Sequence, residues 1–268
     1  MLLIDTHAHL NFPGFKSSVN EILKRAEEAG VTRIINVGSS LEGSLASDKL
    51  SKKYENIYAT IGLHPHVLIE DNLFEEEKEI DVQLEKLEEL ALENNKIVAV
   101  GEIGLDYFRM PENYSAKDLK NAQRDLFIRQ LELAYKLGLP IIIHSRDAVE
   151  DTLEIMNEFK DMKAVFHCFS YDLSVAKRIV DNGWLISFTA NITYPKNFSA
   201  KEVIKNLPLE QLMIETDAPF LAPQEKRGQI NEPANVIEVA KKIAEIKNIS
   251  LEDVACETMK NARDFFGF

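Results

Sequence analysis

The segment IDTHAH (4–9) places two of the six histidines in this 268-residue chain one residue apart, with Asp5 two residues ahead of His7. On an extended strand alternate side chains share a face, so Asp5, His7 and His9 would point the same way. That spacing is a poor choice for one face of a helix. Such a face is either a metal site or a hydrogen-bonded buried cluster. Burying two adjacent imidazoles without partners forfeits several hydrogen bonds, which weakens the second reading. His64, His66, His144 and His167, together with Glu102, Glu215 and Asp217, stand in or just past other apolar runs of strand type. Taken singly, a strand-end histidine is often a structural group, and for His66 both readings stand open. A carboxylate set among apolar neighbours needs a cation or a proton. The coincidence of all these groups at strand ends makes metal binding the better account. Imidazoles and carboxylates without thiolates suit Zn, Mn, Fe or Mg. Because a carboxylate can bridge, six ligands from five strands can hold two ions about 3.5 to 4 Å apart, which suits in-line displacement at a phosphodiester.

The elements that must position these residues alternate along the whole chain. Eight apolar, β-branched runs predict strands at 2–7, 33–38, 57–64, 97–104, 140–145, 164–169, 184–190 and 212–217. Between them lie segments with apolar residues three or four apart, including 19–30, 82–95 and 126–138, each closing on Gly or Asn as helix ends often do. Eight buried strands followed by helices predict an α/β fold of the (β/α)8 TIM-barrel type, with a doubly wound open sheet as the alternative. Active sites of such barrels form from several strands at their C-terminal ends, where the histidines and acids fall. The chain reads as a single domain over 1–268. The polar stretch 107–117 reads as a rim loop rather than a boundary.

Composition narrows the function. With 45% hydrophobic and 28% charged residues the chain is globular in character. No basic leader with an apolar core and no membrane-length apolar stretch is visible, so a cytoplasmic protein without membrane attachment is expected. Cys168 and Cys256 lack metal-site spacing and read as two buried thiols. A net charge of −13 argues against a broad basic surface for wrapping nucleic acid, but cations held at a carboxylate-lined mouth invert the local field.

The motifs DTHAHLN, GLHPH, GEIGLDY, PIIIHSRDA, HCFS and ETDAPFLAP, in that order and followed by RGQINEPANV, resemble the TatD-type metal-dependent deoxyribonucleases, a branch of the amidohydrolase-like TIM barrels. The resemblance runs over essentially the whole chain. It implies two divalent ions (Mg, Mn or Zn), one held by His7, His9, Glu102 and Asp217 and the other by Glu102, His144 and His167, with Glu102 bridging. It implies that His64 contacts the scissile phosphate and that Asp217 orients the attacking water. Arg146 shares the parity of His144 and either meets a phosphate or pairs with Asp147 or another acid. The substrate implied is DNA, with single strands and 3′ ends foremost, and no obligate protein partner is evident. The chain departs from the family pattern at Tyr171 and Asp172, where a glycine usually follows HCFS, and at Thr189 and Ala190, where serine and glycine are common. These positions bear on substrate preference rather than on metal binding.

Three functions compete. The first is a nuclease acting on DNA. The second is a metal-dependent hydrolase of a small phosphoester, ester or amide on the same barrel, since fold alone does not dictate chemistry. Amidohydrolases that use a carboxylated lysine place it where this chain has Glu102, which favours the nuclease branch. The third is a non-catalytic metal-binding or nucleic-acid-binding protein, and the complete ligand set argues against it.

Overall fold

The computed structural model of the protein describes residues 1–15, 18–74, 76–108 and 110–268. Eight strands, β1 (Leu3–Ala8), β2 (Val31–Asn36), β3 (Ile57–Ile61), β4 (Ile97–Asp106), β5 (Ile141–Arg146), β6 (Ala164–Phe166), β7 (Leu185–Phe188) and β8 (Leu212–Ile214), follow one another in sequence order in one sheet. The register is parallel, and β8 returns to β1 through a parallel bridge between Ala8 and Ala218. Ten helices alternate with them among the described residues: α1 (Val19–Glu28), α2 (Leu41–Lys53), α3 (Val67–Glu70), α4 (Glu77–Glu93), α5 (Ala116–Leu137), α6 (Val149–Met156), α7 (Leu173–Asp181), α8 (Phe198–Asn206), α9 (Val236–Lys247) and α10 (Leu251–Phe266). The architecture is the expected (β/α)8 barrel. Two compact units are distinguished within the chain, one formed by 1–36, 54–58 and 167–268 and the other by 37–53 and 59–166.

Local chemistry explains where the elements begin and stop. Strand β4 is buried at all of its positions, which is why its apolar run lacks the alternation of a one-sided strand. Helix α1 opens on a capping box in which Ser18 and Glu21 satisfy each other's backbone N–H groups. Helix α5 starts ten residues before its apolar pattern becomes clear, at the Ser115 cap, and ends at Gly138 with φ 66°. The pattern at 82–95 closes differently. Asn94 is extended rather than left-handed, and its buried side chain donates to Asp48 Oδ1 at 2.8 Å and Ser51 Oγ at 2.9 Å while accepting from Lys96 N at 3.0 Å.

The rim segment after β4 is tied down by Tyr107, whose hydroxyl donates to Asp151 at 2.6 Å. Arg109, part of that predicted loop, lies outside the described residues. Among the described residues no helix is long and apolar enough to cross a membrane. The expectation of two buried thiols fails at both positions, for Cys168 is half-buried and Cys256 is exposed. The buried positions of α10 are Val254, Ala255, Thr258, Asn261, Ala262, Phe265 and Phe266, so Cys256 falls on the opposite side of the helix.

Candidate metal centre

In the first unit, β1 delivers His7 from its buried interior and His9 from just beyond its end. The two Nε2 atoms stand 3.2 Å apart, and Asp217 Oδ1 lies 3.7 Å from the first and 3.6 Å from the second. Donors about 2.1 Å from a common ion stand roughly 3 to 3.6 Å from one another, close to the separations seen. Two imidazole nitrogens and a carboxylate oxygen converging at these separations therefore fit a divalent cation in spacing and in donor chemistry. The shared face read from IDTHAH is a converging one.

Asp217 reaches this position through an uncommon backbone. Its φ of 55° is left-handed, a conformation that costs a non-glycine residue about 1 kcal/mol or more and persists where the surroundings enforce it. The enforcement is polar. Asp217 N donates to His7 O at 2.8 Å. Its neighbour Thr216 donates to Asp5 through N at 2.8 Å and through Oγ1 at 2.6 Å. Asn231, fully buried, donates to Thr216 O at 3.0 Å, while its own Oδ1 accepts from Glu232 N and Asn235 Nδ2. Burial pushes the Asp5 carboxyl up to about 8, and the Thr216 donors pull it the other way.

His167, at the end of β6, stacks on His7 with centroids 4.2 Å apart and rings 12° from parallel. Its Nδ1 lies 3.5 Å from Glu215 Oε1. Glu215 is already engaged, accepting from Cys168 N and Ser187 Oγ, each at 2.7 Å. These bonds fix Glu215 beside the loop after β6, where with His7 and His167 it makes a further group able to hold an ion.

In the second unit, Glu102 Oε1 lies 2.7 Å from His144 Nδ1 and 3.6 Å from His64 Nε2. These three form a further group able to hold an ion. The β4–β5 register shifts between Val100 and Ile103, and Glu102 N donates to Gly38 O at 2.9 Å. Gly104 pairs with His144 at φ 141°, and a Cβ there would run into the His144 carbonyl oxygen. Burial, reinforced by the neighbouring His144, holds His64 well below the usual imidazole range. Asp106, which the sequence reading did not single out, joins this cluster. Its Oδ2 lies 3.2 Å from His144 Nε2 and 3.1 Å from His66 Nε2, and Gln123 clamps its backbone from both sides, accepting from N and donating to O. The signal was available: Glu102, Gly104 and Asp106 share one strand parity in GEIGLDY.

Each unit thus groups its own residues. His7, His9 and Asp217 come together, whereas Glu102, expected with them, groups with His64 and His144. His167, expected with Glu102 and His144, has His7 and Glu215 as its close partners, and His64, expected on substrate, stands beside Glu102 and His144. The Arg146 guanidinium lies over the Phe108 ring, 3.8 Å from its centroid.

Residues 4–267 match the family described as TatD related DNase. The chain belongs to this family. It is 37% identical to the Bacillus subtilis protein named uncharacterized metal-dependent hydrolase YabD, over 99% of both chains. It is 34% identical to the Escherichia coli protein of the same description named YcfH, over 99% of this chain and 96% of that one. The crystal structure of the TatD homologue YjjV from E. coli K12 superposes with a TM-score of 0.87 at 33% identity, covering 99% of this chain and 98% of that one.

Against the TatD pattern, the departures in this chain have local structural jobs. Asp172 caps α7, accepting from Val175 N, and the Tyr171 carbonyl accepts from Ser199 Oγ. Thr189 caps the turn that contains buried Ala190. Asn231 belongs to the stretch RGQINEPANV, which closes the resemblance to the TatD proteins. Asn231→Ala is expected to lower the unfolding free energy by about 1 to 3 kcal/mol, because it strands several buried partners. Urea denaturation measures this, and a variant as stable as the parent would mean that Thr216 is held by other contacts.

Proposed function

We propose that this metal-dependent hydrolase cleaves phosphodiester bonds in DNA, with single strands and 3′ ends as the preferred targets. The observation that carries the reading is the convergence of His7 Nε2, His9 Nε2 and Asp217 Oδ1, set in a chain that matches the TatD-related DNases. In this reading His7, His9, Glu102 and Asp217 hold one ion and Glu102, His144 and His167 the other, Glu102 serving both. Two divalent cations, Mg, Mn or Zn, would stabilise the charge on the attacking and leaving oxygens of an in-line displacement.

The protein's own groups do the rest. Asp217, partly exposed at the mouth, orients the attacking water and is placed to take its proton. His64 donates a hydrogen bond to a non-bridging phosphate oxygen, and Arg146 adds a positive charge to the strand's backbone. Asp106 and Glu215 keep His144 and His167 turned to their task.

The test is add-back of Mg, Mn or Zn to metal-stripped protein, with labelled single-stranded DNA, duplex DNA and small phosphodiesters as substrates. Cleavage of DNA supports the reading. Turnover confined to small esters or amides would move the protein to the alternative hydrolase class. The nearness of His64 to Glu102 gives its substitution a second use. His64→Ala is expected to keep its metal and to lose about a hundredfold in kcat through the missing phosphate contact. Loss of an ion on that substitution would make His64 a ligand.

A further inference from the structure

We propose that Phe12 and Phe220 form a stacking platform for an unpaired nucleobase next to the metal centre, so that this part of the substrate is held as a single strand. The inference rests on the nuclease reading above. Phe12 and Phe220 are large apolar side chains left 41% and 47% exposed, and they meet edge to face with centroids 5.3 Å apart. Phe220 also stands edge-on to His9, at 6.3 Å.

Their placement is matched. Phe12 N donates to His9 O at 3.0 Å and Phe220 N donates to Asp217 O at 2.9 Å. Each ring is thus set one tight turn past a residue of the His7, His9 and Asp217 group. A pair of rings is too small for a protein interface, which buries about 800 Å² per partner, but it suits one base. Net charge supplies the second argument. At −13 the chain has little field with which to hold a run of phosphates away from the bound cations, so uncharged contacts add affinity for a strand where the cations do not reach. The face of a base is the uncharged surface a strand offers. A duplex keeps those faces buried in its own stack, whereas a single strand presents them. A phenylalanine ring stacks on any base and reads no hydrogen-bonding edge, so the platform selects strandedness and not sequence.

The test pairs an F12A/F220A double variant with oligonucleotides carrying one abasic nucleotide walked along the strand around the cleavage point. For the parent protein, one abasic position is expected to raise KM about tenfold. In the double variant that penalty should vanish, and in F12Y/F220Y, which keeps both rings, it should return. A 2-aminopurine at the same position is expected to be quenched on binding by the parent and not by the double variant. An abasic penalty equal in parent and double variant overturns the platform and leaves the nuclease reading standing. A parent that cleaves no DNA with Mg, Mn or Zn overturns both.

Discussion

Glu102→Gln is expected to lower DNA cleavage by about a thousandfold or more while the protein stays folded. The substitution keeps the shape of a side chain that is almost fully buried between Gly101 and Ile103, and it removes the negative charge. Its oxygen lies 2.7 Å from His144 Nδ1 and 3.6 Å from His64 Nε2, the two imidazoles with which it could hold an ion. Any cation held there would lose the charge compensation of the nearest carboxylate, and in a poorly hydrated site such a loss is large. In the proposed arrangement Glu102 serves both ions, so at least one should leave. The fold is not expected to follow, because the change sits where the barrel does its chemistry rather than in its packed layers. Circular dichroism, metal analysis and a nuclease assay on this one variant decide the matter. A folded Glu102→Gln protein with both ions and near-normal turnover would end the bridging assignment.

Asp217→Asn should produce the second largest effect, and by a cleaner route than alanine. Asn is among the residues that tolerate left-handed φ, so the backbone at 55° is kept, together with the hydrogen bonds of its main chain. What disappears is one charge facing His7 and His9 and the acceptor for the water's proton. The variant is expected to need at least tenfold more Mn for half-maximal activity and to show kcat reduced about a hundredfold or more at saturating metal. Titration of activity against metal separates the two losses. A shift in metal demand with unchanged kcat would assign Asp217 to metal holding alone.

Much of the site was legible in the sequence because strand parity and apolar flanks are local signals. IDTHAH implied converging imidazoles, and the Nε2 atoms of His7 and His9 meet. The eight strands fell where β-branched runs fell. Their ends did not, for a consistent physical reason. β3 stops at Ile61, β6 at Phe166 and β8 at Ile214, several residues short of the apolar runs, because amides a residue or two further on turn to side-chain partners. Leu63 N donates to the Gln130 side chain, Cys168 N to Glu215 and Thr216 N to Asp5. These bonds link residues far apart in sequence, and no periodicity encodes them. Asn231 and Gln123 were missed on the same ground, since each works by gripping a distant main chain. Asp106 was missed although its parity with Glu102 was visible, because its partners His66 and His144 lie on other segments.

The close approach at Gly104 limits how this protein can be made hardier. Exchanging glycine for alanine commonly gains about 0.4 to 1 kcal/mol by stiffening the unfolded chain, provided the native backbone accepts a side chain. At Gly104 it does not, with φ at 141° and the carbonyl of His144 occupying the space a methyl group would need. Gly101 is closed as well, since a methyl there would press on the backbone and Cβ of Ile142. The bareness of this strand is what lets the strand that carries His144 lie against it, so a thermostabilised descendant will have to draw its gains from the helices and outer loops and leave β4 unaltered.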